Sequence, residues 1–132
     1  MIVEHRMEIR VRYHETDGQG RVHHAQYLNY FERGRVELMR SLGHSYRELE
    51  QNSDLMLVVT EMNVKYASAA SFDELLELNT RVVRSKGVRI FHEYSLTSLE
   101  RADQPLVVSA TSVIACIDRT GKVRPLPDFL RG

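Results

Sequence analysis

Between Ala25 and Leu42 the apolar residues recur with a helical period, and no other stretch of the chain repeats that pattern at such length. Tyr27, Phe31, Gly34, Leu38 and Leu42 fall on one stripe, flanked by Leu28 and Met39, while Asn29, Arg33, Glu37 and Arg40 fall opposite. At 1.5 Å per residue the helix is on the order of 25 Å long. Gly43 is placed to stop it. A chain with one such helix has one apolar stripe to bury, and the rest of the sequence must supply the cover.

What remains alternates with the two-residue period of strands. In His5 to Tyr13, Met7, Ile9, Val11 and Tyr13 oppose Glu8, Arg10 and Arg12. After the helix, Met56, Val58, Thr60, Met62, Val64 and Tyr66 oppose Glu61, Asn63 and Lys65. Leu76, Leu78, Thr80 and Val82 oppose Glu77, Asn79 and Arg81. A tight turn at Ser85-Lys-Gly leads to Val88, Ile90, Tyr94 and Leu96. Leu106 to Ile117 is apolar or small on both faces, as in a strand covered on both sides. Only a short helix interrupts, at Ser45-Tyr-Arg-Glu-Leu-Glu-Gln, with Ser45 as its cap and Glu48 three residues on. Strands in succession without intervening long helices pair antiparallel. The expected fold is therefore α+β: a five-stranded antiparallel sheet wrapped around one long central helix, with residues 1–132 as one domain.

Composition excludes several alternatives. The hydrophobic fraction is 42%, enough for a core, and 18 Lys+Arg balance 18 Asp+Glu, so disorder is not expected. That balance also lacks the basic excess of a nucleic-acid binder. The single cysteine, Cys116, permits no intrachain disulfide and looks structural, and a reducing, cytoplasmic location is expected. The longest apolar run, Leu55 to Val59, is far short of a membrane span, and the first ten residues lack the apolar core of a signal peptide. No membrane insertion is expected.

Reactive side chains crowd the passage from first strand to helix: His14, Glu15, Asp17, His23 and His24, with Gly18 and Gly20 between them. Loops held by a rigid scaffold are common sites of catalysis, although Asp17-Gly18 alone could simply make a turn. The helix start adds a second signal. None of His23, His24 and Ala25 is a capping residue, so its first amides are free for a ligand oxygen unless water or Asp17 caps them. Free amides there suit a carbonyl that becomes an oxyanion. A metal site is not expected, because no His pair has the spacing of H-E-x-x-H. Arg35 lies near the apolar stripe and Glu32 is placed to pair with it. His92 shares the apolar face of its strand and reads as a core or interface residue. Arg84, Lys86 and Arg89 cluster at one hairpin and are candidates for phosphate groups.

The stretch from Tyr13 through Asp17, Gly20, Val22 and His24 to Tyr27, followed by Phe31, Glu32 and Arg35, resembles the hotdog-fold acyl-CoA thioesterases. It is similar in particular to the 4-hydroxybenzoyl-CoA thioesterase-like group and the bacterial thioesterases associated with the Tol–Pal system. The segment Tyr66-Ala-Ser-Ala-Ala departs from them in lacking a proline. The resemblance implies a hotdog fold, no cofactor, and a homodimer or homotetramer with sites between subunits. It implies Asp17 as the catalytic carboxylate, nucleophile or general base, His24 as its helper, and helix-start amides that polarise the thioester carbonyl. Tyr27, Arg84, Lys86 and Arg89 are the expected substrate contacts. The expected activity is hydrolysis of a short-chain or aromatic acyl-CoA to free acid and CoA. The alternatives are an acyl-carrier-protein thioesterase and a non-catalytic module that binds acyl-CoA.

Overall fold

The computed structural model describes residues 3–131. Strand β1 (Val3–Arg10) leads through a 3-10 turn (Tyr13–Glu15) and a loop to helix α1 (Gln26–Ser41). Helix α2 (Tyr46–Asn52) and strands β2 (Leu55–Tyr66), β3 (Leu75–Lys86), β4 (Arg89–Ser98) and β5 (Leu106–Asp118) follow. The five strands form one sheet in the order β1-β3-β4-β5-β2, every neighbour antiparallel. The sheet packs its inner face against α1.

The helix forms where the period placed it. Tyr27, Tyr30, Phe31, Gly34, Leu38 and Met39 are buried, whereas Leu28 and Leu42 are exposed. The stripe thus lies one position off the sequence reading at Tyr30, which is fully buried. Gly34 is where α1 comes closest to the sheet: a Cβ there would lie 2.8 Å from Leu78 Cδ2 and closer still to Thr80 Oγ1. Gly43 stops the helix with φ +85°, a conformation glycine adopts without strain. Ser45 caps α2, its Oγ accepting from the Glu48 amide at 3.0 Å.

Two strands differ from the sequence reading, each for a physical reason. β1 ends at Arg10, and Tyr13 is 77% exposed instead of continuing the buried face. The Glu15 carboxylate takes the Arg12 amide at 2.8 Å and turns the chain out of the sheet. In β2 a bulge between Val59 and Glu61 shifts the register against β5. Before it Leu55 and Leu57 pack on the core; after it Met62 and Val64 do. Met56 and Val58 therefore do not share the face of Met62. In β3 and β4 the alternation holds, with Leu76, Leu78, Thr80, Ile90, His92, Tyr94 and Leu96 buried. β5 lies between β4 and β2. Cys116, near its end, is fully buried, its thiol directed at the Pro125 carbonyl at 3.7 Å, and burial pushes its pKa up.

Arg35 and Glu32 do not pair. Among the described residues no carboxylate lies within 4.0 Å of Arg35. Its Nη1 donates instead to Tyr94 Oη at 3.0 Å, and that hydroxyl is 2.6 Å from Ser112 Oγ. Choice of partner here is set by the sheet below the helix, not by spacing along it. Among the described residues no helix is long and apolar enough to cross a membrane.

Candidate active site

Asp17 sits at the tip of a turn closed by a bridge between Thr16 and Val22. Its amide donates to the Arg21 carbonyl at 2.7 Å, and its carbonyl accepts from the Gly20 amide at 3.2 Å. One carboxylate oxygen is part of the turn: Oδ1 accepts from the amides of Gln19 at 2.7 Å and Arg21 at 3.3 Å. The turn reading of Asp17-Gly18 is thus realised, but by one oxygen. The side chain is exposed, and Oδ2 takes none of these bonds. Asp17 does not cap α1.

The turn is anchored on its outer side. The Val22 amide donates to the Ala70 carbonyl, and the Phe72 amide to the Gly20 carbonyl, both at 2.9 Å. The 70–74 segment is itself braced by Glu74, which accepts from Ser98 Oγ at 2.5 Å, Arg101 Nε at 2.8 Å and the Ser71 amide at 3.0 Å. Burial opposes the Glu74 charge, but these hydrogen bonds outweigh it and lower its pKa.

The start of α1 has no side-chain cap of the usual kind at Ala25. His23 supplies what closure there is. Its Nδ1 accepts from the Ala25 amide at 3.2 Å and its carbonyl from the Gln26 amide at 2.8 Å, while the Leu28 amide donates to the Ala25 carbonyl at 3.2 Å. None of these bonds uses the amide of His24, an exposed residue whose ring stacks on that of His23 with centroids 4.4 Å apart. The His24 carbonyl accepts from Tyr66 Oη at 2.9 Å, which fixes the last residues before the helix.

Of the substrate contacts expected from the sequence, Tyr27 lies in the core. It is 2% exposed and its hydroxyl accepts from the Ala70 amide at 3.3 Å, so it braces the loop beneath the turn. Arg84, Lys86 and Arg89 are exposed around the β3–β4 turn, with Arg84 stacked over Phe91 at 5.6 Å. They do not meet Asp17 within one chain. Arg10, at the end of β1 that leads to Asp17, pairs with Leu75, whereas Lys86 is the far end of β3. At about 3.3 Å per residue these ends are on the order of 35 Å apart.

Glu15 received no site role from the sequence. It is only 5% exposed, with Oε1 accepting from the Arg12 amide and from Tyr30 Oη, each at 2.8 Å, and Oε2 accepting from Gln26 Nε2 at 3.4 Å. Its carbonyl accepts from the His23 amide at 3.0 Å. Burial, then the bond to Glu15, raises the Tyr30 pKa far above its ordinary value, so the hydroxyl stays a donor. The signal in the sequence was the tyrosine standing fifteen residues after an acid on the helix's buried face, but spacing alone does not reveal that partner.

An antiparallel five-stranded sheet around one long helix is the hotdog fold, and the class of protein is thioester hydrolase. The chain belongs to the Thioesterase-like superfamily, whose family model matches residues 11–132. Among curated relatives, the acyl-CoA thioesterase YbgC of Haemophilus influenzae is 36% identical over 118 residues, 89% of this chain and 83% of that one. The acyl-CoA thioester hydrolase YbgC of Escherichia coli is 31% identical over 123 residues, 92% of this chain and 89% of that one. A solved structure described as a "probable thioesterase" from Bartonella henselae is 36% identical, with a TM-score of 0.86, and the match covers 94% of this chain and 99% of that one.

Proposed function

We propose that the protein hydrolyses acyl-CoA thioesters of short-chain or aromatic acids, with Asp17 as its catalytic carboxylate. The observation that carries this reading is a carboxylate with one oxygen bonded within its turn and the other uncommitted, in a turn tied to the approach to α1 by the Thr16–Val22 bridge and the bond from the His23 amide to the Glu15 carbonyl. The printed activity of the YbgC relatives supports the substrate class.

Two routes use the same atoms. As nucleophile, Oδ2 bonds to the thioester carbon, the C–S electron pair leaves with the thiolate, and water hydrolyses the resulting mixed anhydride to free acid and regenerated Asp17. As general base, Oδ2 takes a proton from water while the water oxygen bonds to the same carbon; the C–S electron pair then leaves with the sulfur, which takes up that proton as the free acid departs. In both, negative charge grows on the carbonyl oxygen, which the His24 amide and the positive end of α1 stabilise. The exposed His24 imidazole assists by hydrogen bonding to the leaving thiol or to water. No cofactor is required by this scheme. The coenzyme's phosphates are received by Arg84, Lys86 and Arg89 of a second copy, in a homodimer or homotetramer working in the cytoplasm.

The test is thiol release from a panel of acyl-CoAs by the native chain and Asp17→Asn. Turnover by the former and a loss of about 10³-fold or more in the latter supports the reading, by analogy with knock-outs of other essential catalytic groups. If no acyl-CoA is turned over but an acyl-carrier-protein thioester is, the carrier-protein alternative replaces it.

A further inference from the structure

We infer that Glu15 is a positioning residue, whose buried carboxylate sets the spacing between the Asp17 turn and the start of α1. This inference rests on the proposed thioesterase reading and adds to it the group that holds the two halves of the site together.

Asp17 and the helix start belong to different local structures. The first is a turn closed on itself, and the second is the end of a long helix. Something must fix one against the other, because a carboxylate misplaced by about 1 Å can cost roughly 10²-fold in rate. Glu15 joins both. It stands two residues before Asp17 and ties the chain backward through the Arg12 amide. Its carboxylate reaches across to the helix, where Tyr30 and Gln26 donate to it. Its carbonyl holds the His23 amide, one residue before the exposed His24. Four donors thus converge on one residue from the strand end, the loop and two turns of the helix.

The chemistry of the site makes this more than a packing contact. Buried carboxylates are costly unless fully hydrogen-bonded. A chain that needed only to fill the space below the loop would be served by an apolar side chain of the same size. A carboxylate does what a hydrocarbon cannot: it accepts from separate elements along fixed directions. Glu15 is therefore expected to govern kcat more than substrate affinity, because its bonds set where the carboxylate and the amide stand and touch no substrate.

The experiment compares the native chain with Glu15→Ala, Glu15→Gln and Tyr30→Phe, at a temperature where each is folded. Glu15→Ala is expected to lower kcat by about 30- to 100-fold with KM within about threefold. Glu15→Gln keeps the length and one acceptor oxygen and recovers most of that loss, while Tyr30→Phe loses less than Glu15→Ala. Amide hydrogen exchange is read on the same proteins. The Gln19, Arg21 and His23 amides are expected to exchange faster in Glu15→Ala, with those of the β3–β4 hairpin unchanged.

A Glu15→Ala protein with native kcat and native exchange at Gln19 and Arg21 overturns the inference. So does a loss of kcat accompanied by equal acceleration of exchange throughout the sheet, since that reports a weakened fold. If the native chain turns over no thioester, the functional reading fails, and the exchange pattern alone still decides whether Glu15 holds the turn to the helix.

Discussion

At the scale of single residues, two buried positions make measurable claims. Gly34 allows α1 to lie against β3, with the space a Cβ would need taken by Thr80 and Leu78. Alanine is the better helix former by about 1 kcal/mol, but overpacking a core costs about 1–3 kcal/mol, and the clash here is severe. Gly34→Ala is expected to destabilise by about 1–2 kcal/mol in urea unfolding. The double variant Gly34→Ala/Thr80→Ala is expected to recover part of that loss, because the two sites share one space. His92 is the second. It is buried with Nδ1 unpartnered, and burial, aided by the Arg35 charge, depresses its pKa to about 3. The native imidazole stays neutral while the unfolded chain takes up a proton below about pH 6.5. Between those values the unfolded state binds more protons, so this contribution is full above about pH 6.5 and is lost as the pH falls. The slope is up to about 1.4 kcal/mol per pH unit. Replacing it, as in His92→Leu, is expected to flatten the pH dependence of the urea midpoint between pH 7 and 4.5. An unchanged slope in that variant refutes the assignment.

At the scale of elements, α2 depends on its cap. Seven residues are too few to hold a helix by propensity, and Ser45 satisfies one of its free amides. Ser45→Ala is expected to cost about 1 kcal/mol in denaturant unfolding. That capping signal was legible because it is local: a serine, a glutamate three residues on, and a stop glycine before them. The long helix was legible for the same reason, since a 3.6-residue period over its whole length has one reading. Strand β2 was not. Its bulge between Val59 and Glu61 exchanges the inward and outward faces, and no residue there announces it. The site divides in the same way. The Asp17 turn and the unusual helix start follow from neighbours in sequence. The roles of Glu15 and Tyr30, and the bond of Arg35 to Tyr94, depend on contacts 15 and 59 residues apart.

At the scale of the whole molecule, the sheet's length sets the hairpin cations far from Asp17 within one chain. The hairpin cations stand at the Lys86 end of β3, whereas the chain leading to Asp17 leaves the sheet beside its Leu75 end. If the cations serve the coenzyme phosphates, they do so across a subunit boundary, which mixing experiments can read. A chain with Asp17→Asn and a chain with Arg84→Ala/Lys86→Ala/Arg89→Ala are each expected to be poor enzymes, the first in kcat and the second in KM. Unfolded and refolded together, they are expected to form mixed oligomers in which one site has all its groups, with the native KM restored. A KM that stays high in the mixture places the cations in the same chain's site or outside any site. β2 adds to the expectation of self-association. It is a twelve-residue strand on one edge of the sheet, and long open edges in native proteins are covered or otherwise protected. Light scattering on eluting protein is expected to return at least twice the mass of 15.3 kDa.

The solitary thiol of Cys116 makes the protein its own unfolding clock. A maleimide or disulfide reagent meets that sulfur only when β5 parts from the chain end packed over it, because the thiol is sealed and its ionisation suppressed. Labelling kinetics in dilute denaturant therefore count openings of the core one molecule at a time, without an added probe. Substrate analogues that grip the folded form should slow the count in proportion to their occupancy, so ligands can be ranked on this protein without any turnover being observed.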